Sequence, residues 1–114
     1  MGLSLSEYEV KEFEPWELLP APCQAIIAVE CAKESKAAEI ISQVSHKETM
    51  LRFETEREVI RLLGADCTVP VGGYSEINDE KISLTVSDGK GHFAQGEKEI
   101  EKRFELVKEL TDKL

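Results

Sequence analysis

The pattern of apolar residues changes at Gly64, and this change constrains the fold more than any other feature of the sequence. Before it, apolar residues recur at helical spacing over Glu34–Val44 and again after Ser45–His46–Lys47–Glu48, which has the form of a helix capping box. Gly64 itself is a typical helix stop. After it, Lys81–Val86 alternates apolar and polar side chains, as a half-buried strand does. The sequence therefore predicts helices first and strands afterwards.

The predicted fold class is α+β, in the order α-α-β-β-β-α. Three strands over Thr68–Tyr74, Lys81–Val86 and His92–Gln95 would form a small antiparallel sheet, since turn residues separate them. Helical spacing returns from Glu97 onward. About three helices would then cover one face of the sheet.

One apolar strand is predicted ahead of this unit. Ala25–Val29 is continuously apolar, a pattern typical of a strand buried on both faces of a larger sheet. Its partner strands are expected elsewhere. We therefore predict that residues 1–32 are a lead-in and strand of a preceding domain, and that residues 33–114 form a separate C-terminal domain.

Composition excludes several classes of function. The net charge of −9 argues against nucleic acid and anionic membranes as partners, because both require a basic surface. No apolar run is long enough to span a bilayer. Three widely spaced cysteines and two histidines fit neither a disulfide framework nor a metal site. Reduced thiols in a cytoplasmic protein are expected.

Two linked motifs resemble the porphobilinogen deaminase (hydroxymethylbilane synthase) family. The first is Glu56-Arg57, then Leu63, then Cys67-Thr68-Val69-Pro70-Val71-Gly72, and it is similar to the helix, loop cysteine and Val-Pro-Ile/Val-Gly strand of that family. The second, Leu19–Ala25 followed by Ala28–Cys31, resembles the family's Leu-Pro-Ala-Pro-Gly-Gln-Gly…Glu-Cys segment. The family's two glycines are Cys23 and Ala25 in this chain.

The resemblance implies a chemistry and a set of partners. The family condenses porphobilinogen units, with loss of ammonia, into a linear tetrapyrrole that grows on a dipyrromethane cofactor held by a cysteine thioether. It implies that this chain is the C-terminal, cofactor-tethering portion of such a transferase of haem biosynthesis. The catalytic aspartate and most substrate-binding arginines would lie in the remaining deaminase domains. The portion alone is expected to be inactive.

Three residues are carried over from the family. Cys67 would hold the dipyrromethane as a covalent thioether, Arg57 would contact its carboxylates, and Gln24 would lie near the same site. A helix end and Asp66 beside Cys67 both disfavour a thiolate, unlike the surroundings of redox or protease cysteines. Without the motif, Cys67 would be read as an ordinary loop residue. Arg57 would be read as a surface residue paired with Glu54 or Glu58, and Gln24 as a structural hydrogen-bonding residue.

Other readings stay open. A stand-alone binding domain could reuse the fold and dimerise with a second copy through an exposed strand. A thiol redox protein would need a partner cysteine near Cys67, and none is close in sequence. We expect Cys23 and Cys31 to be small buried residues, and His46 and His92 to lie at a helix start and in a strand.

Overall fold

The helices and strands follow the predicted order, and a computed structural model describes them over residues 4–64 and 68–114. The helices are α1 (Lys36–Val44), α2 (Lys47–Leu63) and α3 (Arg103–Thr111), and a 3₁₀ turn over Ile100–Lys102 leads into α3. The strands are β1 (Gly72–Asn78), β2 (Lys81–Ser87) and β3 (Phe93–Glu99). The α+β prediction is confirmed.

The core lies between one face of the sheet and helices α2 and α3. The sheet is antiparallel in the order β1-β2-β3, so β2 is central. Helix α2 contacts β1 and α3, whereas α3 also contacts β2 and β3. Helix α1 contributes no buried residue. The buried apolar side chains are Val59, Val71, Ile82, Leu84, Val86, Ala94, Leu106, Val107 and Leu110.

The start of α2 differs from the prediction. The N-cap is His46, whose Nδ1 accepts a hydrogen bond from the Thr49 amide at 3.3 Å. Ser45 instead ends α1 as its C-cap. The predicted capping box is therefore wrong by one position, because the imidazole takes the acceptor role that we assigned to the serine hydroxyl. Gly64 ends α2 in the left-handed conformation, as predicted, with φ of 61°.

Strand β3 continues four residues past its predicted end at Gln95, and the last helix begins later than Glu97. The charged stretch Glu97–Glu99 has the two-residue period of a strand: Glu97 and Glu99 are exposed, whereas Lys98 lies on the helix side and reaches Glu109 on α3 at 2.6 Å. The high density of charged residues from Glu97 onward is typical of an exposed helix surface, which is why a helix was predicted there. The pairing with β2, from Lys81 opposite Glu99 to Ser87 opposite Phe93, makes it a strand.

The predicted strand at Ala25–Val29 is not formed in the described residues. This segment is irregular, and Ile27 exposes 90% of its surface. An apolar segment needs neighbouring strands to satisfy its backbone hydrogen bonds, and the three-stranded sheet supplies none to it. Many apolar side chains before α1 are exposed in the same way: Leu5, Tyr8, Val10, Phe13, Trp16, Leu18, Ile27 and Val29.

Candidate functional site

Glu56 is a buried carboxylate that joins three parts of the chain. It lies on α2 with 3% of its surface exposed. One oxygen accepts hydrogen bonds from the Ser75 amide at 2.9 Å and the Ser75 hydroxyl at 2.6 Å, on β1. The other accepts a hydrogen bond from the Cys23 amide at 2.6 Å. Buried carboxylates require such donors, so Glu56 fixes the loop around Cys23 to both α2 and β1.

The loop over residues 19–25, which we call the docking loop, also packs directly on β1. The Gly73 amide donates a hydrogen bond to the Pro20 carbonyl at 3.0 Å. A β-carbon at Gly72 would lie 2.6 Å from Leu19 Cδ2, and one at Gly73 would lie 2.9 Å from Pro22 Cγ. The two glycines of the Val-Gly-Gly segment therefore allow the close approach of the docking loop.

Two residues of the docking loop have the backbone conformation that favours glycine. Cys23 has φ of 64° and Ala25 has φ of 65°. These are the two positions at which the related motif has glycine. The loop therefore keeps a glycine-like course although both residues carry side chains, at a cost of about 1–2 kcal/mol each. Glycine would adopt these two conformations without strain.

Arg57 is exposed on α2, next to Glu56. Neither Glu54 nor Glu58, its expected partners, forms a salt bridge with it. Glu54 pairs with Arg103 at 2.7 Å, and Glu58 pairs with Arg61. Within residues 4–64 and 68–114, no salt bridge involves Arg57. The ion pair of Arg57 with Glu54 or Glu58 that the structural alternative assumes is therefore not formed in the described residues, and the role of Arg57 stays a prediction. Arg61 is exposed on α2 and pairs with Glu58.

Arg57 also lines an open cleft beside the C-terminal end of α2. The cleft walls combine apolar and charged side chains: Phe53, Glu54, Arg57, Glu58, Ile60, Arg61, Gly64 and Phe104. The two carboxylates of the cleft are paired with Arg103 and Arg61. The Arg57 guanidinium, which has no salt bridge within the described residues, can therefore bind an organic acid by paired hydrogen bonds. Gly64, at the end of α2, is one of the lining residues and precedes Cys67 by three positions in the sequence.

Gln24 lies at the exposed tip of the docking loop. Its Oε1 accepts a hydrogen bond from the Ala21 amide at 3.2 Å, and its own amide donates to the Ala21 carbonyl at 3.1 Å. Part of its side chain therefore stabilises the turn, as the structural alternative predicts. Its assignment to the cofactor stays a prediction.

The thiol of Cys23 is half-buried and lies near both Glu56 and Arg57. Burial raises the pKa of this thiol, the Glu56 charge raises it further, and the Arg57 charge opposes both. The Sγ atom donates to the Phe53 carbonyl at 3.8 Å. The docking loop is thus close enough to Arg57 for their charges to interact. Cys31, in contrast, is exposed, so its predicted burial is wrong.

The predicted anchor, Cys67, lies outside the described residues, as does Asp66. Their assignment stays a prediction. The ends of the surrounding elements are described: α2 stops at Gly64 and β1 starts at Gly72. Cys67 therefore falls, in the sequence, between the end of α2 and the start of β1.

The histidines belong to no metal cluster. His46 caps α2, as its predicted position at a helix start implies. His92 was predicted to lie in a strand but lies in the β2–β3 turn, one residue before β3 begins at Phe93. Its Nδ1 is 2.7 Å from Asp88 Oδ2. Over residues 4–64 and 68–114 we find no group of three or more possible metal ligands. In that same part of the chain, no helix is long and apolar enough to cross a membrane.

Sequence reasoning missed the role of Glu56. The residue belongs to the Glu56-Arg57 motif, but the motif itself implies no role for its carboxylate. Its position offered a signal, because Glu56 follows Thr55 and lies one turn before Val59 on the buried stripe of α2. A carboxylate on a buried stripe implies partners, and those partners are contributed by distant segments.

The geometry defines a small α+β unit whose α2 helix presents, beside a tightly docked loop, an arginine that has no salt bridge with any described residue. Residues 50–114 match the family model described as "Porphobilinogen deaminase, C-terminal domain". The chain belongs to the porphobilinogen deaminase family, and more than half of it corresponds to the C-terminal domain of that family.

Individual relatives extend the similarity toward the N-terminus. The chain is 36% identical over 112 residues to the porphobilinogen deaminase of Desulforamulus reducens, covering 92% of this chain and 36% of that protein. It is 32% identical over 126 aligned positions to the probable porphobilinogen deaminase of Methanocaldococcus jannaschii, covering all of this chain and 42% of that protein. The chain thus spans about a third of the length of the curated relatives that it matches.

Proposed function

We propose that this chain is the cofactor-tethering C-terminal part of a hydroxymethylbilane synthase, a transferase of haem biosynthesis. Cys67 would hold a dipyrromethane as a thioether, and Arg57 and Gln24 would lie beside it. Porphobilinogen-derived pyrroles would be the substrates, in a cytoplasmic enzyme. The single observation that carries the proposal is Arg57, which is exposed in a cleft that also includes Gly64, three residues before Cys67 in the sequence, and has no salt bridge within the described residues.

The chemistry of the site fits the proposed cofactor. Dipyrromethane carries acetate and propionate groups, and the planar guanidinium of Arg57 suits bidentate contact with carboxylates. When bound, the cofactor would supply the pyrrole to which further units are joined. The contribution of this chain would be to hold the cofactor and to orient its acidic groups, because no other catalytic group is assigned to these residues.

We further propose that the segment before α1 docks on the preceding domains of the same enzyme, with residues 1–32 belonging to them and residues 33–114 forming the tethering domain. The exposed apolar residues of that segment, Ile27 and Val29 among them, support this arrangement. The docking loop lies inside the 1–32 range yet is bound to α2 and β1, so it would connect the two parts. Alone, the chain would lack synthase activity.

Complementation in trans tests the proposal. We would produce the N-terminal two-thirds of the D. reducens deaminase with this chain and measure linear tetrapyrrole formation from porphobilinogen. We expect activity with the two parts together, none with either alone, and none when Cys67→Ser replaces the wild-type chain. Cys31→Ser is the matched control and should remain active. If Cys67→Ser is as active as Cys31→Ser, the tethering role is wrong.

A stand-alone interaction domain is the second candidate, and the open apolar groove between residues 26–29 and the start of α2 favours it. The groove is lined by Ile26, Ile27, Val29, Val44, Met50 and Phe53. Under this reading a second copy of the chain would cover the groove by strand pairing. Sedimentation would then show a dimer that Ile27→Lys dissociates, and complementation in trans would fail.

A further inference from the structure

We infer that Glu56 is a positioning residue, which holds the docking loop, and with it Cys23 and Gln24, beside Arg57. The inference rests on the proposed function in one respect: Arg57 and Gln24 are the residues that the proposal assigns to the cofactor. Its evidence is the geometry around the Glu56 carboxylate and is independent of whether a cofactor is bound.

The two oxygens of Glu56 have separate tasks. Oε1 accepts two hydrogen bonds from Ser75, which fixes the carboxylate to β1. Oε2 accepts one hydrogen bond from the Cys23 amide at 2.6 Å, which is shorter than the other hydrogen bond between the docking loop and α2, from Cys23 Sγ to the Phe53 carbonyl at 3.8 Å. Arg52 is the nearest cation, with Nη2 3.9 Å from Oε1 and its guanidinium over the Tyr74 ring. The carboxylate is therefore satisfied mainly by N–H and O–H donors of the two segments that it joins.

The docking loop cannot easily hold this position without that link. Cys23 and Ala25 both adopt the left-handed conformation, which non-glycine residues adopt only when the surroundings enforce it. Cys23 has one further attachment to α2, the weak hydrogen bond from its Sγ to the Phe53 carbonyl at 3.8 Å. The other attachments, the Pro20–Gly73 hydrogen bond and the Leu19 and Pro22 contacts, lie before Cys23. Glu56 is the attachment at the residue next to Gln24. Because Arg57 follows Glu56 on α2, fixing the loop to Glu56 also fixes its distance from Arg57.

Glutamine is the informative replacement at position 56. Its side chain has the same shape, but one of the two oxygens becomes an NH₂ group, which cannot accept a hydrogen bond from an amide. The one side-chain oxygen left in Glu56→Gln can therefore accept from the Ser75 amide or from the Cys23 amide, but not from both. The Ser75 hydroxyl can also accept, so a reversed side-chain amide would keep a bond on each side but would leave the Ser75 amide unpaired. Ser75 is fully buried whereas Cys23 is only half-buried, so the orientation that loses the Cys23 link should be favoured. Glu58→Gln is the matched control, because Glu58 lies on the same helix and pairs with Arg61.

The first readout is amide hydrogen exchange in the 114-residue chain. In Glu56→Gln we expect exchange at the Cys23 amide to become about tenfold faster, which corresponds to the loss of one charge-assisted hydrogen bond. Amides of β2 from Ile82 to Val86 should keep their protection, and Glu58→Gln should match the wild type. Unchanged exchange at Cys23 would overturn the inference.

The second readout separates positioning from general support of the fold. In a background with Cys31→Ser and Cys67→Ser, in which Cys23 is the remaining cysteine, the pH profile of alkylation reports the charges near that thiol, which are Glu56 and Arg57 on α2. Arg57→Gln should shift the profile to higher pH, since the Arg57 charge lowers the pKa of Cys23. In the Glu56→Gln background the same Arg57→Gln change should have a smaller effect, because the loop is no longer held beside Arg57. An equal shift in both backgrounds would contradict the inference.

A variant that keeps the charge covers the case in which Glu56→Gln fails to fold. Glu56→Asp retains the carboxylate but is one methylene shorter, so it should loosen Cys23 while β2 stays protected. If both variants lose protection throughout β2, Glu56 supports the whole fold and the positioning role is wrong. None of these readouts needs dipyrromethane. A chain that never acquires the cofactor can still give the expected exchange and alkylation results. Failure of the proposed function can therefore be distinguished from failure of this inference.

Discussion

Leu106 of α3 lies directly over Gly96 of β3. A β-carbon at position 96 would stand 3.0 Å from Leu106 Cδ1 and 3.3 Å from Leu110 Cδ2. Gly96 also pairs with Leu84 at the centre of β2. The glycine therefore sets how closely the last helix packs on the sheet, and this packing encloses the core on which the α2 site is built.

Gly96→Val should destabilise the chain by about 1–3 kcal/mol, because a branched side chain would overpack the contact with Leu106 and Leu110. Chemical denaturation measures the free energy of unfolding. Gln95→Val, on the exposed face of the same strand, is the control and should change it by less than about 0.5 kcal/mol. Equal effects of the two variants would show that α3 does not pack on Gly96 in this way.

The sequence predicted the elements well where local periodicity decides them. The alternation of Ile82, Leu84 and Val86 fixed β2, and Gly64 fixed the end of α2. Prediction failed where a residue's hydrogen-bonding or strand partners lie far away in the sequence. The burial of Glu56 depends on donors at Cys23 and Ser75, 33 and 19 residues away, and no local pattern reveals them. Ala25–Val29 has the composition of a buried strand, but a strand requires neighbours that the described sheet does not supply.

The left-handed conformation of the docking loop predicts an unusual response to glycine. Ala25→Gly should stabilise the chain by about 1 kcal/mol, since φ of 65° strains alanine and does not strain glycine. Ala21→Gly in the same loop, where φ is not positive, should instead destabilise it by about 0.4–1 kcal/mol. Urea titrations of both variants test this prediction, and a destabilising Ala25→Gly would contradict it.

Arg57 should be dispensable for folding, because no salt bridge holds it within the described residues. Arg57→Gln should change the free energy of unfolding by less than about 0.5 kcal/mol. Arg103→Gln should cost about 1 kcal/mol, because Arg103 bonds both Glu54 at 2.7 Å and the Ile100 carbonyl at 3.2 Å. Thermal and chemical denaturation of the two variants compare these values. If Arg57→Gln costs as much as Arg103→Gln, Arg57 has a structural role that we have not assigned to it.

The β2–β3 turn should make stability depend on pH in the acid range. Hydrogen bonds from the His92 side chain, the Lys90 amide and the His92 amide lower the pKa of Asp88 from 3.8 to about 2. The folded state thus binds a proton more weakly than the unfolded state. The stabilisation by Asp88 is present above pH 4 and is lost as the pH falls toward 2.

Asp88→Asn removes the pH dependence of stability that arises from the Asp88 carboxylate. The variant should unfold at lower urea concentration than the wild type at pH 6, and the difference should shrink as the pH falls from about 4 to about 2. Asp79→Asn is the control, because Asp79 lies in the other hairpin turn with φ of 55°, a conformation that asparagine also tolerates. If the difference in unfolding urea concentration between the wild type and Asp88→Asn stays constant between pH 6 and pH 2, the prediction is wrong.

Peptide mapping by mass spectrometry tests the central claim most directly. The chain would be produced with the N-terminal two-thirds of the D. reducens deaminase in cells that make porphobilinogen, purified, digested and mapped. We predict a dipyrromethane adduct on Cys67, absent from Cys67→Ser and reduced in Arg57→Gln, with Cys23 and Cys31 unmodified. Unmodified Cys67 in a sample whose two parts co-purify, or an adduct on another cysteine, would contradict the tethering role.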